Sequence, residues 1–245
     1  MIDHTTLLAA KIGDLIDSVN KKSLVFTHFL SESELPIVMP MIAKSGYKFR
    51  SYGGYDNAQR TIVGISCFDA PQPDWFPISV LCFKLLKDDS FGHRDVLGAV
   101  MSLGIKRELI GDIIFTEGYC YIFVEDTISE YIINNLDSVS NRAVSLSVYD
   151  GVVHYEMKYE ELLCSVMSMR LDCIVSAAAA HSRTDAENVI LSGSVRVNGI
   201  ENKKKDAQLK SGDILTIKRY GKYKIDSAVG TTKKGRIKLR LLKYI

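Results

Sequence analysis

The stretch MRLDCIVSAAAAHSRTDAENVILSGSVRVNG, residues 169–199, changes its hydrophobic period twice. Leu171, Ile174, Val175 and Ala178 recur at i, i+3, i+4 and i+7, the single apolar stripe of a short helix. His181-Ser-Arg183 interrupts that stripe. A second helix carries Ala186, Val189 and Ile190 and ends at Gly193, the residue type preferred just past a helix end because it lacks a Cβ to clash at positive φ. Ser182 with Asp185, or Thr184 with Glu187, has the spacing to cap its start, and the two registers fit equally. Val195-Arg-Val197 then alternates as a strand into Asn198-Gly199, a two-residue hairpin signal. These residues predict a helix-turn-helix followed by β structure.

Working outward toward the C-terminus, lysine and arginine alternate with tyrosine through Lys203-Lys-Lys205 and Lys218-Arg-Tyr-Gly-Lys222. A last strand puts Ile237, Leu239 and Leu241 on one face and Arg236, Lys238 and Arg240 on the other. Residues 166–245 hold 17 basic and 7 acidic side chains, a net of +10, whereas residues 1–165 hold 14 and 22, a net of −8, so the chain's total is only +2. Lysine-rich strand edges deter pairing between molecules, which accounts for part of this charge. A surplus of ten on one third of the chain points further, to a polyanion, with nucleic acid the leading candidate. Tyr220 and Tyr223, set among the lysines, are candidates for stacking on unpaired bases.

Upstream, residues 78–150 read as β-α-β-β-α-β. A strand runs from Ile78 to Leu86, and a helix carries Val96, Leu97, Val100 and Leu103. Two strands are parted by Glu117-Gly118, Thr127-Ile-Ser-Glu130 offers a capping box for a second helix, and a final strand spans Ala143 to Tyr149. Amphipathic helices bury their apolar faces on a sheet, so this order predicts a ferredoxin-like, RRM-like domain. Its third strand, Glu117-Gly-Tyr-Cys-Tyr-Ile-Phe-Val124, fits the RNA-recognition octapeptide at Gly118, Tyr119, Tyr121 and Ile122. Glu117 takes the place of the basic first residue, Cys120 of the small fourth and Val124 of the aromatic last. With 6 basic and 11 acidic residues the segment is a poor field for phosphate, and Tyr119 and Tyr121 read as packing aromatics.

Residues 1–77 begin with Leu8, Ile12, Leu15, Ile16 and Val19, which predict a helix over about 5–20. Ser31-Glu-Ser-Glu34 has capping-box spacing, and Pro36 and Pro40 limit the next helix. Tyr52-Gly-Gly-Tyr55 precedes a strand from Thr61 to Phe68, and Pro71, Pro73 and Pro77 mark a boundary. The expected class is α+β: a small N-terminal α/β segment (1–77), a ferredoxin-like domain (78–150), a linker (151–165) and a basic RNA-binding domain (166–245).

Catalytic and metal chemistry find little support. The five cysteines are widely spaced among apolar neighbours, the histidines at 4, 28, 93, 154 and 181 have no zinc-site spacing, and neither metal nor cofactor is expected. Phe91-Gly-His-Arg-Asp95 groups acid-base residues in one turn, but without a nucleophile it reads as a helix start. The first residues fit neither a secretory signal nor a presequence, and no run of about 18 apolar residues exists to span a membrane, so a cytoplasmic location is expected.

Arg170-Leu-Asp172, Ser182-Arg183, Gly193-Ser-Val-Arg-Val-Asn-Gly199 and Gly212-Asp213 together resemble the S4 (αL-motif) RNA-binding domain, in the same order over about 45 residues. Upstream, Gly53-Gly-Tyr55 with Arg60, His93-Arg-Asp95, Leu97-Gly98 and Leu103-Gly-Ile-Lys-Arg107 with Gly111-Asp-Ile113 resemble the YlmH family of bacterial S4-domain proteins. The resemblance implies a non-catalytic RNA-binding protein on the large ribosomal subunit, in rescue or quality control of stalled translation, with a link to cell division. Its implied partners are 23S ribosomal RNA and tRNA, with the acidic N-terminal body open to a protein partner. By position it implies RNA contacts at Arg170, Ser182, Arg183, Arg196 and Asn198; Thr184 beside them is a further candidate, and Lys203, Lys204, Lys205, Lys218, Arg219, Tyr220 and Lys222 are added on charge and aromatic character. Asp172, Gly193 and Gly199 are expected to hold the helices and turn. The rival reading is an RNA-modifying enzyme, a pseudouridine synthase or methyltransferase delivered by the S4 module. Gly53-Gly54 is no nucleotide-binding fingerprint, however, and 165 residues leave little room for a synthase body.

Overall fold

The N-terminal apolar stripe winds into α1 (His4–Lys22), which buries Ile12 and Val19. The computed structural model describes residues 4–86, 92–116, 118–180 and 182–245; Phe91, Glu117 and His181, named above, lie outside them. The chain divides into two units, Met1–Tyr155 and Glu156–Ile245. In the first unit, α1 and α2 (Leu35–Lys44) pack on a sheet of β1 (Leu24–Phe26), β2 (Lys48–Tyr52) and β3 (Ile62–Ser66) in the order β1-β3-β2. Glu34 takes the Ser31 N–H at 2.8 Å, one half of the expected capping box, and α2 runs through Pro40.

The middle segment follows as β4 (Ile78–Lys84), α3 (His93–Ser102), β5 (Ile110–Thr116), β6 (Tyr119–Glu125) and α4 (Asp126–Asn135). A small hairpin of β7 (Ser138–Val139) and β8 (Arg142–Ala143) comes next, then β9 (Ser147–Val148). The sheet order is β5-β6-β4-β9, with every neighbour antiparallel. Two expectations are corrected. The last strand shrinks to two residues because Ser140 and Asn141, at φ 48° and 65°, turn the chain back into the hairpin. The Thr127 capping box does not open α4, since the helix already includes Asp126, whose N–H is satisfied by the Pro77 carbonyl at 3.1 Å.

Alternation along β6 sends Ile122 and Val124 toward α3 and α4 and Phe123 to the opposite face. There Phe123 is fully buried among Phe29, Tyr55, Ile62 and Phe76 from the N-terminal segment. Residues 1–77 and 78–150, expected as separate pieces, therefore share one core and belong to one unit. On the uncovered part of that face Tyr121 packs edge-on against Tyr149 at 5.0 Å, in keeping with a packing role.

The second unit contains β10 (Tyr159–Val166), α5 (Leu171–Ala178), α6 (Arg183–Leu191), β11 (Val195–Val197), β12 (Ile200–Glu201), β13 (Ile214–Ile217), β14 (Gly221–Thr231) and β15 (Ile237–Tyr244). They form an antiparallel sheet ordered β10-β15-β14-β13-β11-β12. The stretch expected as a linker is thus partly a strand: β10 pairs with β15 along its whole length, although exposed Leu163 obscures its alternation in the sequence. Leu171, Ile174, Val175, Ala186 and Ile190 of the two helices bury against Val195, Leu215, Ile225, Leu239 and Leu241 on one sheet face. No helix among the described residues is long and apolar enough to cross a membrane.

Gly54 tests the shared core of the first unit. It sits at φ +97°, and a Cβ there would lie 2.4 Å from the Phe123 ring. Gly54→Ala combines a left-handed backbone penalty with overpacking, so it is expected to lower unfolding free energy by about 2–4 kcal/mol. Urea titration followed by far-ultraviolet circular dichroism measures this; an unchanged midpoint would refute the account of that contact.

Candidate nucleic-acid interface

A carboxylate in the first turn of a helix interacts favourably with the helix dipole, and Asp172 occupies that place in α5 with no exposed surface. Burial of a charge demands partners. Arg170 grips it with two bonds, Nε to Oδ1 at 3.0 Å and Nη2 to Oδ2 at 2.9 Å. Arg183, the first residue of α6, adds Nη2 to Oδ2 at 3.1 Å, and the Cys173 N–H donates to Oδ1 at 2.9 Å. The hydrogen bonds from Arg170 are the main reason that the Asp172 carboxyl is held well below the usual carboxylate range. One buried acid thus orients two guanidinium groups, and the Arg183 side chain remains 60% exposed.

Ser182 resolves the open capping register. Its Oγ accepts the Asp185 N–H at 3.2 Å and donates to Asp185 Oδ2 at 2.6 Å. The helix starts at Arg183, and the N–H groups of Arg183 and Thr184 belong to its first turn, where no intrahelical acceptor exists. The lysine loop is strapped to the same place: the Asp172 N–H donates to the Lys205 carbonyl at 3.0 Å and the Leu171 N–H to the Ala207 carbonyl at 2.8 Å. Lys205 also pairs with Glu187 of α6 at 2.9 Å, and Lys203 with Glu201 at 3.0 Å, while Lys204 is exposed. The fold therefore gathers Arg170, Ser182, Arg183, Thr184 and Lys205 around the start of α6, whereas Lys203 pairs with Glu201, which lies against Gly193 past the other end of that helix.

The remaining expected contacts lie elsewhere. Lys218, Arg219 and Tyr220 form the β13–β14 turn and, with Val189 and Ser194, line a cavity of about 300 Å³ near the far end of α6. That end is about 13 Å from the start of the nine-residue helix. Arg196, Thr216 and Lys222 are cross-strand neighbours on the sheet face opposite the helices, where the Lys222 ammonium lies 4.6 Å above the Tyr244 ring. Tyr159 packs edge-on against Tyr244 at 5.1 Å, so this face carries two aromatics that the sequence reading missed. The signal for Tyr244 was the period-2 pattern of strand 237–244; Tyr159 follows only from its pairing with Tyr244.

Two expectations change role. Asn198 donates from Nδ2 to Asp213 at 2.9 Å and accepts the Ile214 N–H at 2.8 Å, so its amide fastens the β11 turn to the Gly212-Asp213 turn. Tyr223 is 3% exposed and sits in the core, which rules it out for base stacking; its hydroxyl donates to the Tyr220 carbonyl. In the first unit, Asp95 accepts the Gly92 N–H at 2.7 Å, the helix-start role expected for that turn.

Residues 76–151 match a family model described as "Putative RNA-binding domain in YlmH". The chain is 27% identical over 218 residues to the ribosome-associated protein quality control protein P2 of Bacillus subtilis, covering 85% of this chain and 82% of that one. The matched segment thus resembles the RNA-binding domain of the YlmH family. A solved structure of the cell division protein YlmH from Streptococcus pneumoniae shares its fold, with a TM-score of 0.52 and 18% identity over 61% of this chain and 95% of that one. Both are mixed α and β. The family match falls on the middle segment, whose net charge is −5, whereas the cationic cluster described above lies in the second unit.

Asp172→Asn keeps the shape and removes the charge that both arginines share. It is expected to cost about 3–4 kcal/mol, the lower part of the range for a broken buried pair because the arginines can still reach water. The pKa of Asp172 is depressed in the folded state, so its stabilisation is complete above the unfolded value near 4 and declines as pH falls toward the folded value. Thermal melts between about pH 2 and 7 should show a steeper acid limb for the wild type than for Asp172→Asn. Parallel acid limbs would remove Asp172 from this role.

Proposed function

We propose that the chain is a non-catalytic, cytoplasmic RNA-binding protein acting in ribosome-associated quality control. On this reading, residues 156–245 grip structured RNA, 23S ribosomal RNA or tRNA, on the large ribosomal subunit. The observation that carries it is the guanidinium pair of Arg170 and Arg183, aimed by one buried carboxylate beside the start of α6 and the lysine loop. Guanidinium forks match phosphate oxygens, helix-start N–H groups add donors, and lysines contribute point charges. The unit holds 18 basic and 10 acidic residues, so its field favours a polyanion. The name of the Bacillus subtilis relative supports the quality-control setting.

Two finer assignments belong to the same reading. The second unit, with two short helices on one face of an antiparallel sheet and a fastened Asn198-Gly199 turn, is assigned as an S4 domain. The middle segment, whose strands follow the order second, third, first, fourth, is assigned as ferredoxin-like. Its charge and the burial of Phe123 favour a scaffold role over base stacking.

Phosphate-dominated binding predicts a steep salt response. If about five to eight phosphates are neutralised, log affinity falls against log salt with a slope on the order of −4 to −7. Filter binding of the full chain to 23S fragments and tRNA measures it, and a slope near zero would sink the proposal. Arg183→Ala should weaken binding about tenfold across RNA sequences alike and reduce the slope by about one, since phosphate contacts position without specifying. A loss confined to one sequence would contradict that mechanism.

A further inference from the structure

Outside the basic unit, Arg60 and Arg107 form a like-charged pair that neither the middle sheet nor the RNA cluster explains. Arg60 donates from Nε to the Ile110 carbonyl at 2.9 Å, and from Nη2 to the carbonyls of Phe29 at 2.9 Å and Arg107 at 3.3 Å. Arg107 donates from Nη1 to the carbonyls of Ile110 and Gly111. Both guanidiniums are positioned by neutral oxygens, and among the described residues neither has a carboxylate within ion-pair distance. Burial lowers the pKa of each, Arg107 to about 10, and the Arg60 charge adds to the shift at Arg107, while the nearby Asp112 carboxylate opposes it at both and Glu34 opposes it at Arg60.

Each guanidinium keeps donors beyond those bonds, and both line a cleft of about 550 Å³ with Lys11, Phe29, Glu34, Lys106 and Glu108. The lining carries four cations and two acids. The acids are engaged: Glu34 accepts from the Ser31 N–H and hydroxyl, and Glu108 pairs with Lys11 at 3.6 Å. An adjoining lobe of about 260 Å³ is apolar at Leu8, Ile12 and Leu15 and shares Lys11, Phe29, Glu34 and Glu108 with the cleft. Asp112 and Glu34 offset part of this charge without pairing with either guanidinium, and the spare donors facing an open, net-positive cleft favour a multivalent oxyanion as a further counter-charge.

We infer that this cleft binds a phosphate group, with Arg60, Arg107 and Lys106 on the phosphate and the adjoining lobe receiving the organic part of a nucleotide. The nucleotide is either free or part of a single-stranded RNA. This site is independent of the RNA cluster in residues 156–245. Arg60 and Arg107 here bind the ligand directly through the donors that their carbonyl bonds leave over.

Amide NMR of the 15N-labelled full chain, titrated separately with adenosine monophosphate and with a hexa-adenylate, reads the two units apart. Saturable shifts at residues 60 and 106–111 are expected with at least one probe. The mononucleotide alone identifies a free nucleotide, and the hexanucleotide alone identifies an RNA strand. Lys106→Glu, on an exposed side chain, and Arg107→Gln should each weaken that response roughly tenfold, with melting curves confirming the fold. Shifts confined to residues 156–245 with both probes would overturn the inference, as would shifts near residues 106–111 of unchanged affinity in Lys106→Glu. In neither case would the RNA-binding proposal be affected.

Discussion

A carboxylate with no exposed surface must be neutralised by its neighbours, and Asp172 meets that demand by fixing two arginines at once. The same residue donates its N–H to Lys205 and so binds the lysine loop to the start of α5. Position, charge and orientation of the cationic cluster therefore converge on one side chain. Arg183 belongs to α6, so the ion pair also sets one helix against the other. Arginines left to solvent would each lose considerable side-chain freedom on meeting a phosphate; held by Asp172, they have lost much of it already.

The rest of the second unit supports this arrangement through its hydrophobic core. Leu171 and Ile174 of α5 and Ala186 and Ile190 of α6 are buried on one sheet face, which leaves the opposite face to Arg196, Lys222, Tyr159 and Tyr244. Charge is thus displayed on two surfaces of one sheet-and-helix layer, with the hairpin turn at Lys218 to Tyr220 near the far end of α6. In the first unit the logic differs. There, Phe123 and its aromatic neighbours join what the prolines around residue 73 had marked as separate pieces, and Arg60 ties the Phe29 carbonyl to the 107–110 turn.

Much of this was legible in the sequence because it rests on local signals. The stripes of α1, α5 and α6, the Gly193 stop, the Asn198-Gly199 turn and the alternating final strand are set by nearest-neighbour sterics and by side chains one helical turn apart. The charge asymmetry is a count and needs no coordinates. Members of the cationic cluster could be named one at a time, since guanidinium and ammonium groups advertise their chemistry through residue type.

Contacts between distant residues decided the remainder. Whether Ser182 or Thr184 caps α6 depended on where the chain enters the helix, and Tyr223 became core because β14, before its register shift after Ile225, turns Tyr223 and Ile225 toward the helices. Asn198 turned inward to Asp213, 15 positions away, while Asp172 and Arg183, 11 apart, met across a helix junction. The burial of Phe123 by Tyr55 and the pairing of Arg60 with Arg107 join segments that no periodicity connects. Local pattern determines which elements form, since each is a short-range balance of sterics and hydrophobicity. Which faces meet, and so which charges stand together, is settled only when the cores close.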